Sequence, residues 1–321
     1  MKFDERPILV VDGLNFFIRN FIANPTTSLN GDPAGGFLGF IKGLSLLCEQ
    51  FRPTEVLVAW ESGGSAKRRG ISSSYKSGRR PVSLNRYYED DIPDTQENYH
   101  RQISLTVEAL KKTPVSQIYI RDAEADDVIA YLVKYKFKDD PVFVVSSDKD
   151  FYQLIDDRVK QWSPNQKKVI DKAAVLEKFG VSTVNFAVAK CFAGDNSDST
   201  PGVKGTGFRS LAKRFPQLGT DEFFSVEQII ETATERLNSS KLKIYSAIIE
   251  NAEVVRKNWQ LMYLDMRGLS ADHVQKIESQ LDSREYKTLK IDLMRLMIRE
   301  GLSNFDIDRA VTAFNIVRMQ Q

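Results

Sequence analysis

The chain has little of what many catalytic sites are built from. Its 321 residues include two cysteines and two histidines. Cys48 and Cys191 each stand alone in apolar surroundings. They are too few and too isolated for a disulfide framework or a zinc site, which points to a reducing compartment. His100 and His273 have no ligand partner at useful spacing and read as structural or surface residues. GxSxG, HExxH and a Walker loop are all absent. No run approaches the roughly 18 apolar residues that a membrane span needs, and the opening MKFDERPILVV does not read as a signal peptide. An excess of charge is missing too: the net charge is +2 and the hydrophobic fraction 42%. The chain therefore reads as globular and long enough for two domains or one large one.

What it does have is carboxylates at the ends of apolar runs. Val142 to Leu154 reads VFVVSSDKDFYQL: a β-branched run, two serines, then Asp148 and Asp150. A short apolar run bounded by polar residues reads as a buried strand. Ligands of parallel sheets sit beyond the carboxyl ends of the strands, which places both acids at a strand mouth. Taken alone, the pair also has a plainer, less favoured reading as a helix cap and a surface charge. The arrangement recurs, however. ILVV ends in Asp12, followed by Gly13 and Asn15, and VLVAW ends in Glu61. DAEADDVIAYLV puts Glu124, Asp126 and Asp127 in the first turn of a helix whose apolar face is Ala125, Val128, Ile129 and Leu132. The helix dipole accounts for one or two such acids, at about 0.3–1 kcal/mol each, and less readily for three. With the strand at 142–147 this completes a βαβ pattern. Asp195 and Asp198 follow in a loop, and PGVKGTG (201–207) then opens a basic helix, Phe208 to Phe215. Glycine turns that open helices present free N–H groups to phosphates.

The positive charge is also patterned. Ser62 to Tyr88 holds seven basic residues (Lys67, Arg68, Arg69, Lys76, Arg79, Arg80 and Arg86) and no acidic one. A charge run is usually a solvated face, but a loop of one sign interleaved with Tyr75, Tyr87 and Tyr88 suits a phosphate backbone. About 40 residues with few apolar anchors follow Glu61 before the next helix near Tyr99, and inserts that long tend to be functional or disordered. From Gln217 onward the chain reads as amphipathic packing helices with no visible chemistry.

The nine strand-end and helix-start acids come without histidine or thiolate partners, a donor set that suits hard cations such as Mg²⁺ or Mn²⁺. Two such ions about 3.5–4 Å apart can activate water and stabilise a leaving oxygen in phosphodiester hydrolysis.

At this point VVDGLN around Asp12, EADD (124–127), SSDKDFYQL (146–154) and GDNSDSTPGVKGTG (194–207), with QWSP at 161–164, resemble the flap endonuclease or 5′-nuclease superfamily. The likeness is strongest to phage-type members, the T-even phage ribonuclease H among them. It spans roughly the first two-thirds of the chain, with its motifs in family order. It implies an α/β, PIN-like fold: a mainly parallel sheet with flanking helices over 1–182 and a basic helical arch at about 62–98. A helical DNA-binding domain over 183–321 would follow, with a helix–two-turn–helix at about 186–215. By resemblance, Asp12, Glu61, Glu124, Asp126 and Asp127 match a first metal cluster, and Asp148, Asp150, Asp195 and Asp198 a second. Arg68 and Lys76 fall where arch residues contact the scissile phosphate. Lys67, Arg69, Tyr75, Arg79 and Arg80 match the rest of the arch, while Gly202, Lys204, Gly205, Gly207, Arg209 and Lys213 match the duplex grip. The family usually has Asp where this chain has Glu61, whose longer arm changes the metal distance.

The resemblance further implies two Mg²⁺ ions, Mn²⁺ as a substitute, and K⁺ at the helix–two-turn–helix. It also implies a monomer in a phage host's or bacterial cytoplasm, acting on DNA with a 5′ flap, nick or RNA primer. Replication proteins, such as a single-strand binding protein or a clamp, would be its partners, and no membrane is involved. Three other readings stay open here: a PIN-type ribonuclease, a non-catalytic structure-specific DNA-binding relative, and a junction resolvase relative. The first would lack the arch and the glycine-turn grip.

Overall fold

Six strands form one sheet: β1 (Ile8–Asp12), β2 (Glu55–Trp60), β3 (Ser116–Tyr119), β4 (Val142–Val145), β5 (Val159–Ser163) and β6 (Lys168–Ile170). The structure is a computed structural model that describes residues 6–61, 63–78, 82, 96–240, 242–283 and 287–318. The strand order is β3-β2-β1-β4-β5-β6. All neighbours run parallel except β6, which turns back antiparallel to β5. Val159 to Val169 is therefore more than the strand and turn its sequence suggests, since residues beyond the turn pair as a sixth strand.

Strands β1 and β4 are buried along their whole length, as unbroken apolar runs in parallel sheets are. Alternation sends Leu9, Val11, Phe143 and Val145 to one face, and Ile8, Val10, Val142 and Val144 to the other. Helices Gly13–Ala23, Gly35–Phe51 and Gln96–Leu110 cover the first face. Helix Ala125–Tyr131, which runs on into a π-helical turn at Leu132–Lys136, covers the second.

The expected single helical unit at 183–321 needs correction. Helices Phe186–Ala193, Phe208–Arg214, Val226–Leu237, Lys243–Glu250 and Ala252–Met262 do share one core, built on Phe192, Leu211, Ile229 and Ile248. The remaining helices return to the sheet. Ala271–Asp282 inserts Ile277 and Leu281 on one face, while Lys290–Arg299 and Ile307–Arg318 insert Leu293, Met297 and Phe314 on the other. No described helix is long and apolar enough to cross a membrane.

The chain passes from β1 to β2 and β3 on one side, then crosses to β4 on the other, so the order reverses between β1 and β4. Open parallel sheets bind ligands at such a switch point, outside the carboxyl ends of the strands.

Candidate functional site

Two acids stand at this switch point, and one serine joins them. Asp12 ends β1 and caps the next helix, its Oδ1 accepting the Asn15 N–H at 3.1 Å. The fully buried Ser146, just past β4, donates its hydroxyl to Asp12 Oδ2 and accepts the Asp148 N–H, both at 3.1 Å. Asn15 Oδ1 accepts the Ser147 N–H at 3.0 Å. Gln161 of β5 donates to the carbonyls of Ser146 and Asp148, 2.7 Å each. Asp148 Oδ1 accepts the Asp150 N–H at 2.9 Å. The loop is thus held from three strands with its carboxylates at the rim.

Glu124 stands just before helix Ala125–Tyr131, its side chain making no cap hydrogen bond, and is 1% exposed. Its Oε2 lies 2.9 Å from Lys76 Nζ, 3.0 Å from Arg68 Nη1 and 3.2 Å from the Tyr75 hydroxyl that donates to it. Burial works against its charge, but Arg68 and Lys76 beside it hold its carboxyl below the usual range. Glu61 enters from the end of β2. A Cβ placed on Gly64 would sit 3.7 Å from Glu61 Oε1 and 3.9 Å from Glu124 Oε1, so the two carboxylates border one space. They line a cavity of about 280 Å³ together with Arg69, Tyr75 and Lys76.

A second group forms where the chain beyond β4 meets the helical unit. Oxygens of Asp150, Asp195 and Asp198 all lie within 4.8 Å of one another. Lys190, on helix Phe186–Ala193, bridges two of these acids: its ammonium contacts Asp150 Oδ1 and lies 2.7 Å from Asp195 Oδ2. The Lys76 N–H donates to the Asp198 carbonyl at 3.1 Å, so the basic segment spans both groups.

The electrostatics record this crowding. Burial, then the charge of Asp148, pushes Asp12 up to about 7 against its hydrogen bonds from Asn15 and Ser146. Burial, with Asp148 and Asp12 nearby, puts Asp126 well above the usual carboxylate range in spite of Lys76. Burial raises Asp150 to about 6 although Lys190 opposes it. Asp195 is held near 2: burial raises it, but Lys190 and Ser197 more than compensate. Buried like charges behave this way unless a cation intervenes.

Three expectations are corrected by the geometry. Asp127 does not face the cleft; its Oδ2 and Oδ1 lie 2.6 and 2.7 Å from Arg68 Nη1 and Nη2, and it is fully buried. Arg68 is correspondingly turned inward, 5% exposed, and its Nε donates to the Leu261 carbonyl at 2.8 Å. A guanidinium fixed bidentately to a carboxylate is a buttress and not an arch finger, so the structure does not put Arg68 at a phosphate. Tyr75 likewise spends its hydroxyl on Glu124.

Of the other arch residues, Lys67 points away to the Arg267 carbonyl and Arg69 borders the cleft with Glu61. Arg79 and Arg80 lie outside the described residues. In the glycine turn Thr206 is buried and donates to the Phe192 carbonyl. A Cβ on Gly202 would meet the Ala193 carbonyl oxygen at 2.1 Å, so only glycine fits there. Gly205 has φ +87° and Gly207 leads into helix Phe208–Arg214. Lys204, Arg209 and Lys213 are exposed beside this turn.

Sequence reasoning missed Lys190, Ser146 and Gln161. For Lys190 the available signal was a lone charge in an apolar setting, AVAKCFA; Ser146 and Gln161 sit among other polar residues and gave none.

An acidic switch point flanked by cations and a glycine turn defines a nuclease of the 5′-3′ exonuclease type. The profile of the 5′-3′ exonuclease N-terminal resolvase-like domain matches residues 7–180, and the chain belongs to that family. It is 30% identical over 228 residues to a 5′-3′ exonuclease of Aquifex aeolicus, covering 70% of this chain and 73% of that one. It is 28% identical over 256 residues to the thermostable DNA polymerase I of Thermus aquaticus, covering 79% of this chain and 28% of that much longer protein. Among solved structures it is similar to a bacteriophage T5 flap endonuclease in a pseudo-enzyme–product complex with DNA and metal ions. The TM-score is 0.64 at 20% identity, over 91% of this chain and 99% of the other. This last likeness concerns the fold.

Proposed function

We propose that this chain is a divalent-metal-dependent, structure-specific 5′-3′ exonuclease and flap endonuclease. It hydrolyses phosphodiester bonds in branched and RNA-primed DNA, and its role is primer removal in lagging-strand replication. The observation that carries the reading is the gathering of Asp12, Glu61, Glu124, Asp126 and Asp148 around the switch point with the group Asp150, Asp195 and Asp198 beside it. No histidine or cysteine stands among these residues. An all-oxygen donor set suits Mg²⁺, with Mn²⁺ as its substitute. The oxygens of Asp150, Asp195 and Asp198 are already gathered within the span of one ion, and the raised carboxyls of Asp12 and Asp126 mark a second place where positive charge is short. Bound ions of this kind activate a water and stabilise the leaving oxygen of a phosphodiester.

The protein's own part is positioning and charge. Ser146, Asn15 and Gln161 fix the directions of Asp12 and Asp148. Arg68 holds Asp127 and Glu124 from beneath. Lys76 stands over the cleft, where it can approach a scissile phosphate as a point charge. Lys190 bridges Asp150 and Asp195, offsets part of their charge and keeps the second group together. The exposed cations beside the glycine turn suit the phosphates of a duplex. The family, the name of the Thermus aquaticus relative and the DNA and metal ions in the T5 complex support this reading. K⁺ at the 194–207 turn, replication proteins as partners, a monomeric state and a cytoplasmic setting belong to the same proposal.

Cleavage of a 5′-labelled flap and of a nicked, RNA-primed duplex tests it, with Mg²⁺ and with EDTA, for wild type and Asp148→Asn. Metal-dependent release of 5′ products by the wild type, lost in the variant, is expected. Binding of the branched substrate with no cleavage in either Mg²⁺ or Mn²⁺ would favour a non-catalytic DNA-binding relative.

A further inference from the structure

The short helix Ala66–Ile71 stands between two cavities. On one side is the acidic cleft. On the other a separate cavity of about 320 Å³ opens between this helix and the end of helix Ala252–Met262 with the turn beyond it. Ser65 lines both, so the two adjoin at the start of the short helix.

The walls of the second cavity are unusual for a packing region. Trp259 and Tyr263 stack with ring centroids 4.1 Å apart and planes 15° apart, and both are half-buried. The guanidinium of Arg267 lies 5.5 Å from the Tyr263 ring, and its side chain is 68% exposed. Lys67, exposed, reaches across to the Arg267 carbonyl and fastens the helix to the turn. The acids nearest the cavity are already engaged. Asp265 accepts from the Tyr135 hydroxyl and from Arg267, and Asp127 is held by Arg68. Tyr263 is flanked by Trp259 and, at 4.7 and 5.5 Å from its ring, by Lys134 and Arg267, and Phe223 lies 6.2 Å from the Trp259 ring. The outer side of Trp259 and the positive charge of Lys67 and Arg267 are what remain for a ligand.

A base needs an aromatic face and a phosphate needs a cation, and single-strand grooves combine the two. A duplex hides the faces of its bases, so this lining favours an unpaired one. The volume lies at the small end of the roughly 300–1,000 Å³ range for ligand cavities, which suits a single nucleotide. The wall shared with the acidic cleft at Ser65 puts the cavity next to that cleft, within reach of a strand whose backbone enters it.

We propose that this cavity receives an unpaired nucleotide of the 5′ strand of a flap, its base against Trp259, which Tyr263 backs, and its phosphate between Lys67 and Arg267. The proposal rests on the reading of the chain as a 5′ nuclease and adds where the displaced strand is held. It also gives a role to helix Ala252–Met262, where the sequence shows no chemistry.

The test is cross-linking of the full chain to flap DNA carrying 5-iododeoxyuridine at successive flap positions, in EDTA so that nothing is cleaved. A cross-link from a flap position to the peptide spanning residues 259–267, and none from duplex positions, is expected. In parallel, Arg267→Gln and Trp259→Leu are compared with wild type on a flap and on a nicked duplex without a flap. Loss of stacking or charge weakens flap binding by about 10-fold, while nick binding and nick cleavage in Mg²⁺ stay as they were. Arg267→Gln changes an exposed side chain, so it reports even where Trp259→Leu folds poorly. Cross-links confined to other surfaces, or equal losses on flap and nick, overturn the proposal. Failure of the nuclease reading would look different: the wild type would cleave neither substrate in Mg²⁺, whatever the cross-link map showed.

Discussion

Asp12 caps a helix through Oδ1 and receives the Ser146 hydroxyl on Oδ2, so the local reading of a strand-end carboxylate holds, and the proposed metal-binding one is compatible with it. Its pKa carries a stability consequence. Burial and Asp148 raise it from 3.8 to about 7. In the unfolded chain this proton leaves near 3.8, and in the metal-free fold near 7. The stability it supports is full below about pH 4 and lost as pH rises toward 7. Asp150, raised to about 6, acts with the same sign; Asp195, held near 2, titrates below this window. The melting midpoint in EDTA is therefore expected to fall between pH 4 and pH 7. Asp12→Asn flattens that fall and Mg²⁺ at pH 7 reverses it; an unchanged slope in the variant contradicts the account. Lys76 makes a separate case. With its ammonium 2.9 Å from Glu124, Lys76→Ala is expected to lower kcat by about 100-fold, as loss of a positioned charge does. Duplex affinity should change little, and equal losses in a binding and a turnover assay would mean that Lys76 only adds general charge. The acids were legible because a carboxylate ending an apolar strand breaks the pattern. The inward turn of Arg68 was not: which of several adjacent basic residues finds a buried partner depends on Asp127 and Leu261, far along the chain.

The turn Met266–Gly268 is an element whose role shows only in three dimensions. A Cβ on Gly268 would sit 2.2 Å from Asp127 Oδ1, so the turn packs directly on the Arg68–Asp127 pair. Gly268→Ala is expected to cost about 1–3 kcal/mol, as overpacking does, and to lower cleavage by displacing that pair. Urea denaturation beside a turnover assay reads both, and a variant unchanged in both would show that the contact relaxes freely. Other elements could be read from the sequence alone. Asp171 caps the helix Lys172–Phe179 and Gly180, at φ +72°, stops it. The pairing of β6 was harder to see, because three residues carry too little pattern to distinguish a strand from a turn. The π-helical turn at Leu132–Lys136 left no periodic signal.

Across the whole molecule, the α/β class and the acids at the strand mouths followed from βαβ order, but the switch point between β1 and β4 and the path of the last fifty residues did not. Their amphipathic faces say that they pack, not against what. Phe314, fully buried on the sheet face with Phe37, Phe40 and Phe143, lies far in sequence from all three. Phe314→Ala is expected to cost about 3–5 kcal/mol, read as a lower unfolding midpoint, with cleavage by the remaining folded protein retained. A loss of under 1 kcal/mol, on the scale of a surface change, would mean that the helix is peripheral. The central claim, that two acidic groups meet as one divalent-cation centre, is tested most directly by counting ions. Titration with Mn²⁺, read by the electron paramagnetic resonance of free ion, should give two bound ions for wild type and one for the Asp195→Asn, Asp198→Asn double variant. No bound ion in the wild type, or the same number in both proteins, would contradict it.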